Sequence, residues 1–163
     1  MGPSLKRCAA FAIATVVSVP ASAQGIVTQK NISLALAQAI ANAALAQCES
    51  MGFKVSVTVV DRAGSPLVML RGDGSGLHTP EGSDRKAYTA RTFSQPSAAF
   101  AQRLLDDPAS VGSRQYTRVL ALSGGLPIKV GDEVVGAVGV SGSPGKDDIC
   151  SQAGIDKVAG QLK

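Results

Sequence analysis

The rhythm of apolar and polar positions changes several times along this chain, and each change marks an element. After an unpatterned lead-in over 24–30, Leu34, Ala37, Ile40, Ala41, Ala44, Leu45 and Cys48 recur at helical spacing, with Gln38, Asn42 and Gln47 falling between them. Asn31 or Ser33 can cap this helix, and Gly52 stops it. From Lys54 to Val60 the period drops to two: Val55, Val57 and Val59 face one way, Ser56 and Thr58 the other. Asp61-Arg62-Ala63-Gly64 is a turn, and Pro66 to Arg71 returns as the partner strand of a hairpin. The glycine-rich stretch Gly72 to Gly76 precedes a helix capped by Thr79, with Pro80 at its first position and Glu81 in its first turn, running to about Phe93. Pro96 separates it from a helix over Ser97 to Leu105, whose apolar face is Ala98, Phe100, Ala101, Leu104 and Leu105.

A polar connection spans Asp107 to Tyr116. Val119 to Leu122 predicts a short strand, and Ser123 to Ile128 leads into another. Gly131-Asp132-Glu133 turns the chain into a last strand, Val134 to Ser141. That strand is close to continuously apolar and so is predicted to be central. Gly136 and Gly139 imply that something packs closely on its backbone. A final helix begins at Asp147 or Asp148 and runs to about Leu162. The order is helix, hairpin, two helices, three strands, helix. It has no βαβ alternation, which favours an α+β fold, an antiparallel sheet with helices packed on it.

The 163 residues suit one domain. Aromatics make up 4% and tryptophan is absent, so Val, Leu, Ile and Ala must build the core. The first two dozen residues read as an export leader that is cleaved off. Lys6 and Arg7 form the positive start, Cys8 to Val19 the apolar run, and Ala21-Ser22-Ala23 the small residues before a cut at Gln24. Residues 1–23 are thus assigned to a signal peptide and 24–163 to the mature domain, placed in the periplasm or secreted. The apolar run is shorter than the roughly 20 residues a spanning helix needs. No other segment is long and apolar enough, so no stable membrane insertion is expected after cleavage. The formal charge of +4 includes the leader's two cations. No basic cluster interleaves with aromatics, so nucleic-acid binding has no support.

Cleavage removes Cys8 and leaves Cys48 and Cys150. Thiols in an oxidising compartment tend to pair, which favours a disulfide between the two; the alternative is two separate buried thiols. No zinc pattern is present. A search for a nucleophile with its base finds none: Ser141 has no histidine nearby in sequence, there is no G-x-S-x-G elbow, and Asp61, Asp73 and Glu81 serve equally well as turn and cap residues. Gly136, Gly139 and Gly142 echo a dinucleotide fingerprint but lie along a strand.

Four stretches carry a resemblance to a known family. They are Val57-Thr58-Val59-Val60-Asp61-Arg62-Ala63-Gly64; Asp84-Arg85-Lys86-Ala87-Tyr88-Thr89-Ala90; Gly124-Gly125-Leu126-Pro127-Ile128; and Gly136-Ala137-Val138-Gly139-Val140-Ser141-Gly142, followed by Ala153-Gly154-Ile155. Together they resemble the GlcG/HbpS family, which includes the C-terminal domain of PduO. The resemblance spans about 32–161. It implies a profilin-like, five-stranded antiparallel sheet flanked by helices. It also implies homo-oligomers, haem binding in some members, and an accessory role to a redox-sensing partner in one exported member. It transfers fold more securely than function.

Against that expectation, His78 is the single histidine and the sharpest candidate for haem iron, the alternative being a solvent-facing loop residue. Tyr88, Tyr116, Met51 and Met69 are other possible axial groups, Met69 reading more as core. Arg71, Arg85, Lys86 and Arg91 could meet the propionates, or simply form a solvated face. The loop from Ser141 to Gly145 could hold an anion or carboxylate on its N–H groups, or be an ordinary connection. The PduO domain's histidine on the first helix has no counterpart here. Three readings follow: an exported haem-binding protein for sequestration, transfer or sensing; an accessory factor or enzyme acting on a small carboxylate metabolite; and a non-catalytic module docking on a sensor protein.

Overall fold

The computed structural model describes residues 25–163 and, before them, only Gly2, so the leader read at 1–23 lies outside the described residues. Four strands, β1 (Ser56–Val60), β2 (Pro66–Arg71), β3 (Gly125–Val130) and β4 (Glu133–Ser141), form one antiparallel sheet in the order β2-β1-β4-β3. Prolines sit in both edge strands, Pro66 opening β2 and Pro127 inside β3, as strands that need few outward donors allow. The helices are α1 (Leu34–Ser50), α2 (Thr79–Phe93), α3 (Ser97–Asp106) and α4 (Asp147–Lys157), with 3-10 turns at Pro108–Gln115 and Ala159–Gln161.

Each sheet face is covered for a reason visible in its side chains. Val55, Val57 and Val59 join Val138 and Val140 under α1 and α4, in a core closed by Ile40, Ala44 and Ile128. The two helices approach so closely that a Cβ on Gly154 would lie 2.7 Å from the Ile40 carbonyl. On the opposite face Ser56 and Thr58 are buried, and α2 satisfies their hydroxyls: Ser56 Oγ meets Thr79 Oγ1, and Thr58 Oγ1 meets Ser83 Oγ, both at 2.8 Å. Here α2 lies backbone to backbone on the sheet. A Cβ on Gly139 would fall 2.2 Å from Ser83 O, and one on Gly125 2.2 Å from Lys86 O. The close packing expected at Gly136 and Gly139 is present, from Ile32 and the Val60 carbonyl at the first and α2 at the second.

The described residues contain four strands, not the five anticipated. Val119 to Leu122 is not a strand, because side chains of α2 and α3 serve its backbone. Thr89 Oγ1 accepts from Leu120 N at 2.9 Å, Arg85 Nη2 donates to Val119 O at 2.9 Å, and the Ser97 hydroxyl donates to Leu122 O. Val119 itself packs against Phe100 and Leu104 in a separate small core. Other departures are local. Thr79 is the first helical residue instead of the cap, its hydroxyl bonding Gly76 O and Ser56, so His78 occupies the cap position without a side-chain bond. Met69 is 46% exposed, because it lies on an edge strand.

Candidate functional site

The α2 helix divides the candidate residues between its two faces. His78, Glu81, Arg85, Tyr88 and Thr92, spaced three and four apart, share the outward stripe, while Ser83, Lys86, Ala87 and Ala90 point at the sheet. Lys86 is only 4% exposed. Its Nζ donates to Asp147 Oδ2 at 2.7 Å and to Val140 O at 3.1 Å, and Asp147 Oδ1 accepts from both the N–H and the hydroxyl of Ser143 at 2.9 and 2.7 Å. Of the two readings of the 141–145 loop, an anion site or an ordinary connection, the structure shows Ser143 donating to the chain's own Asp147. Ser141 is buried under α2, where a Cβ on Gly82 would lie 2.6 Å from its Oγ. Cys48 and Cys150 are joined in a disulfide with Cα atoms 5.5 Å apart, tying the end of α1 to the start of α4.

The outward candidates are spread out. Arg71 is exposed and donates to Ser75 O at 3.3 Å. Arg85 is engaged by Glu81 at 3.0 Å and by Val119 O. His78 is exposed, its ring lying over Gly76. Ten residues of helix separate it from Tyr88, about 15 Å of rise.

At the C-terminal half of α2 the surface folds inward. A groove of about 530 Å³ is lined by Tyr88, Thr92, Phe93, Tyr116, Thr117, Arg118 and Val119. Both tyrosines of the chain are there. Phe93 stacks on Phe100 at 4.0 Å, and the Arg103 guanidinium sits 5.2 Å from the Phe93 ring. Arg118 lies 4.1 Å over the Tyr88 ring. It holds Asp84 with two bonds of 2.8 and 3.3 Å and donates to Gly64 O at 3.0 Å. This residue therefore pins segment 116–119, α2 and the hairpin turn together. The groove has the size of a small-molecule site, an aromatic floor and few polar groups.

Residues 32–156 match the family described as "Haem degrading protein HbpS-like". The chain belongs to the HbpS-like family. An uncharacterised 15.0 kDa protein from Citrobacter freundii, named for the dhaT-dhaS intergenic region, is 34% identical over 120 residues, covering 72% of this chain and 84% of that protein. A double mutant of HbpS from Streptomyces reticuli superposes with TM-score 0.77 at 33% identity, over 87% of this chain and 97% of that one. The fold is also that of PduOC, solved as a haem complex, with TM-score 0.70 at 22% identity over 77% and 94% of the two chains.

For an HbpS-like chain the donor set of the groove suits haem: Phe93 and Val119 offer apolar surface for the macrocycle, the two phenol oxygens are of a kind that ligates haem iron, and the Arg118 guanidinium is a cation for a propionate. Of the residues singled out from sequence, Tyr88 and Tyr116 line this groove, whereas His78, Arg71, Lys86 and Ser141 do not. Arg118, Phe93 and Val119 were missed. The signal that could have found Arg118 and Val119 is the composition of 116–119, where an aromatic, a cation and an apolar residue follow a polar connection; Phe93, at the end of α2, carries no such local signal. No cluster of three or more His, Cys, Asp or Glu able to hold a bare metal ion occurs among the described residues. Nor is any helix there long and apolar enough to cross a membrane.

Proposed function

We propose that this protein is an exported haem-binding protein of the HbpS type, taking haem into the groove between α2 and segment 116–119 for sequestration, transfer or sensing. The observation that carries the reading is the convergence of both tyrosines, Phe93 and Arg118 on one apolar-floored groove. Family membership supports haem as the ligand class. The buried Cys48–Cys150 bridge supports export, because such bonds persist in oxidising compartments. Tyr116, 63% exposed, or Tyr88 would hold the iron, and the Arg118 N–H groups left over from Asp84 and Gly64 would face a propionate. Haem, when bound, supplies a redox-active iron; the chain's own part is to orient the macrocycle and exclude water from one side. Self-assembly and docking on a sensor partner belong to the same proposal.

The test is a haemin titration of the purified protein followed in the Soret band. A saturable shift at micromolar protein is expected. Tyr116→Phe or Tyr88→Phe should weaken binding about tenfold or more by removing a ligand, while His78→Ala should leave it unchanged. Absence of saturation sinks the proposal, and sensitivity to His78→Ala alone moves the site away from the groove.

A further inference from the structure

A second pocket lies across the hairpin turn from the groove, bounded by the lead-in to α1, the turn 61–64 and the C-terminal half of α2. Its volume is about 360 Å³, and it is lined by Gln29, Asn31, Arg62, Ala63 and Arg91. Its polar ends are mostly donors. Asn31 Oδ1 already accepts from Ile32 N and Arg62 N, both at 2.9 Å, which leaves the nitrogen of the same carboxamide to donate. Arg62 gives one nitrogen, Nη1, to Glu133 and to Lys30 O, so the rest of its fork is uncommitted. Arg91 is the anomaly. Its Nε is buried and has no hydrogen-bond partner, and none of the ion pairs among the described residues includes it.

Partial burial pushes the Arg91 guanidinium below its usual range, and the facing charge of Arg62 pushes the same way; Asp61 opposes both. Asp61 is not within ion-pair distance of the cation among the described residues, and its Oδ1 accepts from Ser65 N inside the turn. Two guanidiniums facing one another across a pocket, one of them partly desolvated and unpaired, form an arrangement that an oxyanion would relieve.

We infer that the Arg62–Arg91 pocket is a binding site for a small oxyanion, a carboxylate or phosphate group held in the fork of both guanidiniums with the Asn31 amide. It is separate from the tyrosine groove and does not depend on haem. The hairpin turn forms the wall between them: Gly64 abuts Tyr88 on one side, and Arg62 and Ala63 face the pocket on the other.

The experiment uses haem-free protein at constant ionic strength, with succinate, inorganic phosphate and chloride as separate titrants, read by thermal shift and calorimetry. Saturable stabilisation by succinate, by phosphate or by both, beyond that of chloride, is expected, and the stronger of the two identifies the class. Arg91→Gln should raise the apparent dissociation constant roughly tenfold or more without lowering the melting temperature of the unliganded protein, since it removes an unpaired cation. Arg62→Gln should weaken binding as well, and Lys146→Gln, an exposed cation elsewhere, should not. If no titrant exceeds chloride, or if both arginine variants respond as the parent does, the site does not exist. A failed haemin titration would leave this result untouched.

Discussion

At the scale of single residues, Lys86 shows how much a side chain's direction decides. Its sequence context, beside Arg85 on a helix, suggests a surface cation available to a propionate. In the fold it is paired with Asp147 beneath α2, both side chains nearly inaccessible. Removing one partner of such a pair leaves an uncompensated buried charge, a loss of about 3–5 kcal/mol. Lys86→Met should therefore lower the urea midpoint sharply, and Lys86→Met with Asp147→Leu should recover much of it. Haemin affinity of the folded single variant should stay at the parent value, because Lys86 does not reach the groove. The inward direction of Lys86 was not read from the sequence, because a lysine flanked by Arg85 breaks the apolar stripe that its buried neighbours Ser83, Ala87 and Ala90 mark only in the fold. Nor was the pairing with Asp147, 61 residues away, because local spacing carries no information about which distant loop lies opposite. The same limit hid Arg118, which reaches back 34 residues to Asp84 and 54 to Gly64.

Among the elements, those with strong internal periodicity were legible and those satisfied by distant side chains were not. The α1 stripe, the 55–59 alternation, the hairpin and the apolar β4 each declare themselves within their own residues. Val119 to Leu122 reads as a strand because it is short and apolar, yet Thr89, Arg85 and Ser97 take the places a neighbouring strand would have filled. The docking of α2 is the element-scale feature most open to test. Gly139→Ala would set a methyl against Ser83 O and Ala87 N, both backbone atoms that cannot rotate away. Overpacking of this kind costs about 1–3 kcal/mol, and the upper end is expected here. Gly160→Ala, with nothing within 4 Å of the added carbon, is the control. Equal chemical-denaturation midpoints for the two would show that α2 does not rest on β4 as described.

For the whole molecule, the disulfide is the main long-range constraint that cysteine counting foresaw. It closes a loop with a sequence separation of 102 residues. In the chain-entropy account a loop of that length contributes up to about 4.7 kcal/mol. Calorimetry with and without reductant should show a clear fall in melting temperature on reduction, and Cys48→Ala should fall alike and lose its sensitivity to reductant. Unchanged melting in both would mean the bridge does not hold the two ends of the domain. Layer order was legible only in outline: antiparallel pairing followed from the absence of crossovers, but not which helices share a face. The two rims of the sheet carry a consequence of their own. Pro127 withholds an amide hydrogen in the middle of one border strand, exposed Lys129 adds a charge beside it, and Pro66 opens the other. Such borders are poor templates for a stranger's backbone, so this protein is guarded against runaway ribbon growth.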